Sequence, residues 1–358
     1  MSSTTKSRYL LGAAAAIAVL TLGLAGCTNT GTTAASSAPA ADTQQTAQAS
    51  DGPTCSLADY KGEAIDLKDA TVGFSQSEKE DNPFRIAETQ SIKDEAQKVG
   101  VKKLITTNAQ STLSKQISDI QDLIAQGAQI LIVAPLNSDG LEPALEAARE
   151  KNIPVITIDR KLNAGACSDY VSFLGSNFVE QGKRAADQLI AGTGGKGNVA
   201  ILLGSSGNGV TTDRTSGFVD QIAAEAPDIK IVAQQTGEFA RDKGQAVTEQ
   251  LLQSNPEITA IYAENDEMGL GAQAAIIAAG KVPGKDIQIY SIDGTKNAVE
   301  QLAAGAYNGV IESNPRFGPL AFKTIASFLG GDAVGQAIVI EDGEYTADNA
   351  AEKVNSAY

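Results

Sequence analysis

From Ala70 onward, short apolar runs of strand length alternate with longer segments of helical spacing, and this alternation constrains the chain more than any other feature. The strand candidates, in order, are TVGFS, KKLITTN, QILIVAP, IPVITID, YVSFLGS, NVAILLG, IKIVAQ, ITAIYAE, IQIYSID and YNGVIES. Between them Ile92, Ala96 and Val99 fall on one helix face, as do Leu113, Ile117, Ile120 and Ile124, and again Ala272, Ala275, Ile276 and Ala279. Continuous apolar strands separated by helices are the pattern of parallel sheets covered on both faces. The units are too many for one ordinary open sheet, so the expected fold class is α/β with two lobes. A (β/α)₈ barrel is the competing arrangement, and the irregular strands near the end of the chain count against it.

Doubly wound parallel sheets bind ligands at the carboxyl ends of their strands. VITID finishes at Asp159, followed by Arg160; IYSID finishes at Asp293, followed by Gly294; IYAEN leads into Asn265 and Asp266. Each alone reads as a turn residue or an N-cap. Together they point to ligand contacts, because caps are freely supplied by the plentiful Ser and Thr.

The stretch YAENDEMGLG, Tyr262 to Gly271, concentrates Glu264, Asp266 and Glu267 around Asn265. It is no DxDxDG-type calcium loop, so no metal site is expected. A glycosidase pair needs carboxylates facing each other across a bond, which one local cluster does not provide. Glu267 reads as a first-turn acid favoured by the helix dipole. That leaves Asn265 and Asp266 as the expected contacts.

Composition removes whole function classes. The 358-residue chain, long enough for two domains, contains no histidine and carries a net charge of −15. Nucleic acid is not an expected partner, since its binding relies on clustered Lys and Arg. Without histidine there is no Ser–His or Cys–His nucleophile and no imidazole metal ligand. No cofactor is expected.

The N-terminal portion stands apart. Lys6 and Arg8 precede the charge-free YLLGAAAAIAVLTLGLAG, which ends at Cys27. A basic n-region before an apolar h-region reads as a signal peptide over 1–27, with an uncleaved anchor helix as the alternative. LAGC, Leu24 to Cys27, resembles a bacterial lipobox, which implies lipidation of Cys27 and attachment to the outer face of a membrane. Residues 28–54, rich in Thr, Ala, Ser and Gln, are expected to form a flexible tether. In an exported protein the remaining pair, Cys55 and Cys167, reads as a disulfide, with two unrelated buried thiols as the alternative.

Beyond these features the chain resembles a known family. The marks are VGFSQ (Val72 to Gln76), NPFRIAET (Asn82 to Thr89), IPVITIDR (Ile153 to Arg160), DRTSGF (Asp213 to Phe218), AENDEMGLGA (Ala263 to Ala272), SIDGTKNAVEQL (Ser291 to Leu302) and IESNPRFGPLA (Ile311 to Ala321). In that order, over about Thr71 to Tyr358, they resemble the ribose-binding type of periplasmic sugar-binding proteins of ABC importers. Within that type the chain is most similar to the galactofuranose- and fructose-binding branch.

The resemblance implies a type I periplasmic-binding-protein fold, in which two Rossmann-like lobes with parallel sheets are joined by a three-stranded hinge. Carried over, the first lobe holds 55–175 with 293–311, and the second holds 176–292 with 312–358. Implied sugar contacts are Phe84, Arg85, Asp159, Arg160, Arg214, Phe239, Asn265 and Asp293. Gln76, Glu88, Asp213 and Glu312 join them in the furanose branch. Carboxylates accept from adjacent hydroxyls and Arg forks donate to paired oxygens, a chemistry suited to a neutral polyol.

Bland readings stay open. Arg160 or Arg214 could serve only the neighbouring Asp, Phe84 and Phe239 could be core, Asp213 could cap a helix starting at Arg214, and Glu88 could pair with Arg85 along one helix. SEKEDNPFR departs from the furanose pattern in length and acidity. The implied function is a monomeric, lipid-anchored, extracytoplasmic solute-binding protein. It would deliver a furanose-form hexose or pentose such as fructose or galactofuranose to a permease, without chemical turnover. The alternatives are a ribose or other pyranose binder, or a sensor feeding a signalling receptor.

Overall fold

A computed structural model describes residues 47–49, 52–60 and 64–358. The expected signal peptide, Cys27 and most of the expected tether lie outside the described residues. Seven strands come first: β1 Ala47–Ala49, β2 Thr54–Cys55, β3 Thr71–Gln76, β4 Lys103–Asn108, β5 Ile130–Val133, β6 Val155–Ile158 and β7 Ser172–Ser176. Next are β8 Gly197–Leu203, β9 Ile229–Thr236, β10 Ala260–Ala263, β11 Gln288–Asp293 and β12 Gly309–Glu312. Then β13 Val334–Gly335, β14 Ala337–Ile340 and β15 Glu344–Tyr345 follow.

Two large sheets result, ordered β1-β14-β7-β6-β5-β3-β4 and β15-β12-β11-β10-β8-β9, with a small antiparallel β13-β2 pair beside them, and the competing single barrel is thereby excluded. Within the two large sheets pairing is parallel except at the outermost strands β1 and β15. Each sheet is buried on both faces by alternate residues of the same strands. Val72, Phe74, Ile130 and Ile132 enter one cluster of the first lobe, while Leu131, Val133 and Val155 enter another. In the second lobe Ile261 and Ile289 face one way, and Tyr262, Tyr290 and Ile292 the other. This is why the strands read as unbroken apolar runs.

The lobe boundaries differ from those expected. Segment 293–311 does not return to the first lobe: β12 pairs in parallel with β11, Asp293 opposite Glu312, and helix Lys296–Ala303 buries Ala298, Val299 and Leu302 in the second-lobe core. Conversely, helix Gly318–Leu329 packs Phe322 and Ile325 into the first-lobe core, and β14 pairs with β7. The chain therefore passes between lobes at three places, after Ser176, between Glu312 and Gly318, and between Ile340 and Glu344. The apolar face of each helix decides which sheet it covers, and that partner is not written in the helix's own spacing.

The expected tether is also shorter at its C-terminal end. β1 pairs antiparallel with β14, Gln48 opposite Val339, and Thr54 pairs with Gly335. An open sheet edge offers a row of unpaired backbone groups, so a polar segment can join it through its main chain alone. Cys55 and Cys167 form a disulfide with Cα atoms 5.2 Å apart, joining this N-terminal extension to the loop before β7.

Candidate functional site

The carboxyl ends of β3, β6, β10 and β11 and the first turns of two helices converge on one small cavity. Its walls are Glu78, Asn82, Phe84, Arg85, Asp159, Arg160, Val210, Arg214, Phe239, Asn265 and Asp293. All eight of the residues named above as principal contacts are therefore brought together. The lobes also touch beside it, where Ser138 Oγ accepts from Gly209 N at 3.1 Å.

On the first-lobe side, helix Pro83–Val99 opens with Asn82 as N-cap, its side chain accepting from Arg85 N at 2.9 Å, and with Pro83 in the first turn. That start aims Phe84 and Arg85 at the cavity. Arg85 Nη1 donates to Asp159 at 2.7 Å and to Glu88 at 2.8 Å, and its guanidinium lies over the Phe84 ring. Asp159 ends β6 with φ of 64°, a left-handed conformation that Asp tolerates better than most residues. Arg160 anchors Nη1 on the carbonyls of Pro135 and Leu136, while its Nε has no hydrogen-bond partner.

On the second-lobe side, Gly182 and Gly217 let helices Phe178–Thr193 and Gly209–Glu225 approach closely. A Cβ on Gly182 would sit 2.1 Å from Arg214 O, and one on Gly217 2.0 Å from Val179 O. The approach carries Arg214 against Gln181, whose Oε1 accepts from Arg214 Nε at 2.9 Å, and lets Nη1 reach Glu264 O at 2.5 Å. Arg214 Nη2 stands 3.6 Å from Asp293, at the end of β11 with φ of 135°. Phe239 crosses the cleft to within 5.9 Å of the Arg160 guanidinium.

The cluster in YAENDEMGLG divides into four roles. Asn265 lines the cavity and also caps helix Asp266–Ala278, accepting from Met268 N at 3.0 Å and donating to Phe239 O at 3.1 Å. Asp266, expected as a contact, does not line the cavity. Its carboxylate accepts from Gly294 N, Thr295 N and Thr295 Oγ at 2.7–2.9 Å, and so ties the end of β10 to the turn after β11. Glu264 is fully buried, accepting from Gly204 N at 2.7 Å and from the Thr215 hydroxyl. Glu267 sits in the first helical turn and is held in a bidentate pair by Arg241.

Four other expected contacts also stand behind or beside the walls. Gln76 donates to Glu88 at 2.8 Å and to Thr89, and Glu88 supports Arg85 from below, the intrahelical pairing left open above. Asp213 lies within helix Gly209–Glu225, whose N-cap is Asn208, so Asp213 neither caps that helix nor lines the cavity. Glu312 accepts from Gly343 N at 2.8 Å, between two of the lobe crossings.

Glu78, Asn82 and Val210 were not anticipated. Glu78 lies two residues past β3, where the strand-end rule applied to TVGFSQ would have found it, and an Asn before Pro is a helix-start signal that marks Asn82.

Burial drives the electrostatics. It pushes Glu88 up to about 7 against the pull of Arg85, and Glu264 up to about 7 despite its donors. It likewise raises Asp293 well above the usual carboxylate range, with Arg214 opposing. For Glu78 the balance reverses: burial would raise it, but Arg160 and Arg85 together hold it down at about 2. Among the described residues no cluster of His, Cys, Asp or Glu is placed to hold a metal ion. What the cavity offers is two arginine–aspartate pairs, one per lobe, with Phe84 and Phe239 between: donors, acceptors and apolar faces for a small polyhydroxylated ring.

Residues 72–333 match the periplasmic binding protein domain family. The galactofuranose-binding protein of Escherichia coli is 36% identical over 262 residues, covering 72% of this chain and 81% of its own length. The ribose import binding protein of Bacillus subtilis is 38% identical over 273 residues, covering 76% and 85%. Among solved structures, the periplasmic binding protein component of the arabinose ABC transporter of Shewanella sp. ANA-3, bound to α- and β-L-arabinofuranose, matches with a TM-score of 0.76. It is 35% identical and covers 79% of this chain and 94% of its own.

Proposed function

The chain belongs to the periplasmic binding proteins, and from that premise we propose that it captures a monosaccharide in furanose form outside the cytoplasm and hands it to the permease of an ABC importer. The observation that carries the reading is the opposed pairing of Arg85 with Asp159 and Arg214 with Asp293 around one cavity. A ring with hydroxyls on both edges can engage both pairs at once only when the lobes are together, so binding and closure are coupled about the three crossings. Relatives that bind galactofuranose and arabinofuranose support the furanose form over the pyranose. The proposed contacts are the eight residues that converge, with Gln76, Glu88, Asp266 and Glu312 holding them and the hinge in place.

Sugar leaves this protein chemically unchanged, it acts as a monomer, and lipid on Cys27 holds it at the outer face of the membrane. An oxidising compartment suits the Cys55–Cys167 bridge. The test is a thermal-shift screen of residues 52–358 against fructose, ribose, arabinose, galactose, xylose, glucose and a galactofuranoside. A ligand at about 100 times its Kd adds ~2.7 kcal/mol, several degrees for a chain of this size. A shift with arabinose, fructose or the galactofuranoside supports the reading, and the absence of any shift sinks it.

A further inference from the structure

Glu78 is the one wall residue that belongs both to the inner cavity and to the wider cleft outside it while also bridging two guanidiniums. Its Oε2 accepts from Arg85 Nε at 2.9 Å and its Oε1 from Arg160 Nη2 at 2.7 Å. The two arginines come from different elements, one from the first turn of a helix and one from a strand end, and Glu78 is a carboxylate that joins them. It sits in the acidic stretch SEKEDN, Ser77 to Asn82. The cavity walls carry three guanidiniums, Arg85, Arg160 and Arg214, against three carboxylates, Glu78, Asp159 and Asp293. Take Glu78 away and the first-lobe wall holds two arginines against Asp159, with only Glu88 behind Arg85 and no second carboxylate on Arg160, in a site shielded from water where charge is felt strongly.

We infer that Glu78 selects the charge class of the ligand: by clasping Arg85 and Arg160 it neutralises them from within, so the cleft takes an uncharged sugar and rejects a sugar acid or sugar phosphate with the same ring. A ligand carboxylate or phosphate would compete with Glu78 for the same two forks and would meet its charge at close range. A hydroxyl, in contrast, can accept from Arg160 Nε, which makes no hydrogen bond and stands 3.6 Å from Asp159, and donate to a carboxylate with the clasp intact. Because the arginines hold Glu78 ionised down to about pH 2, the selection persists across physiological pH. The inference rests on the monosaccharide reading and adds to it which monosaccharides are turned away.

The experiment is calorimetric titration of the wild-type protein, E78Q and E78D. Each is titrated with L-arabinose, D-fructose and a galactofuranoside, and with L-arabinonate, D-galacturonate and D-ribose 5-phosphate. The wild type is expected to bind a neutral sugar on the order of a hundredfold tighter than any of the anions. E78Q should lose about tenfold toward the neutral sugar and gain about tenfold toward an anion, the scale of one charge-assisted hydrogen bond. E78D, which keeps the charge, should restore the exclusion. The inference is overturned, with the monosaccharide reading intact, if the wild type binds an anion as tightly as its neutral sugar. It is equally overturned if E78Q still binds neutral sugar and gains nothing toward anions. Should E78Q lack a cooperative melt, the wild-type and E78D titrations decide by the same criteria. No binding of any neutral sugar by the wild type removes the monosaccharide reading and this inference together.

Discussion

Gln181 orients Arg214: its Oε1 accepts from Arg214 Nε at 2.9 Å, while its Nε2 donates to Asp342 at 2.8 Å. Asp342 also accepts from Ser176 Oγ at 3.1 Å and lies on the third lobe crossing. One amide thus joins the cavity to the hinge, presenting its oxygen as acceptor to the arginine and its nitrogen as donor to the carboxylate. Replacing it with Leu removes one hydrogen bond from each of two buried partners, at ~1–3 kcal/mol each. Q181L is expected to weaken sugar binding about tenfold and lower the melting temperature, measured by titration calorimetry and thermal melting. Q181E, which sets a carboxylate beside Asp342, should be the less stable of the two. Unchanged affinity in both would remove Gln181 from the coupling.

Asp159 is the acid of the first-lobe pair, with φ of 64°. Asn tolerates that conformation equally well, so D159N removes charge while keeping shape. Breaking a buried pair by deleting one charge costs ~3–5 kcal/mol. The expected result is a clear drop in melting temperature and at least about a hundredfold loss of sugar affinity, since the acceptor and the Arg85 anchor go together. Equal binding by D159N and wild type would show that the carboxylate does not meet the ligand.

The same molecule should grow more stable on mild acidification. Burial raises Glu88 and Glu264 to about 7 and Asp266 and Asp342 to about 6, all above their unfolded values. A carboxyl raised on folding takes up its proton in the native state first, so its stabilisation is complete below the unfolded pKa and lost as pH rises through the folded one. Glu78, held at about 2, works oppositely, but its contribution fades only below about pH 4.5. Lower net negative charge acts in the same direction as the buried acids. Melting temperature should therefore climb from pH 8 to about pH 5 and fall below about pH 4. E264Q should flatten part of that rise, and a melting temperature that drops steadily from pH 8 would contradict the assignment.

The Cys55–Cys167 bridge closes a 112-residue span. Chain-entropy arguments put the loss on removing such a bridge at about 4–5 kcal/mol, less where the unfolded state keeps structure. Neither cysteine lines the cavity and both attach to first-lobe elements. C55A/C167A or reduction is thus expected to lower the melting temperature by several degrees while sugar affinity changes less than about twofold. Loss of binding without loss of stability would be the contrary result.

Asp266 and Asn265, adjacent in sequence, should behave differently. D266A strips the acceptor from Gly294, Thr295 and Ser291 and is expected to cost stability first, ~3 kcal/mol or more. N265A removes both a helix cap and a cavity wall and should reduce stability by ~1 kcal/mol together with affinity. Thermal melts paired with calorimetric titrations separate the two patterns.

The sequence by itself determined the layers and the place where a ligand would meet them. Apolar strands without polar interruption can be satisfied only in sheets covered on both faces, so Val72, Ile130 and Ile156 already implied parallel α/β lobes. Strand-end residues such as Asp159, Arg160, Asn265 and Asp293 then had one side of each sheet open to them. Tertiary structure alone decided the partners. Whether helix Lys296–Ala303 covers the first or the second sheet depends on which core receives Leu302, and its spacing fits either. Whether a carboxylate at a strand end faces ligand or protein depends on which donors come within 3 Å: Asp266 found the turn after β11, Glu264 found Gly204, and Glu78 found two arginines. Side-chain period is a local property of the chain, whereas hydrogen-bond satisfaction of a buried charge is settled by residues tens of positions away.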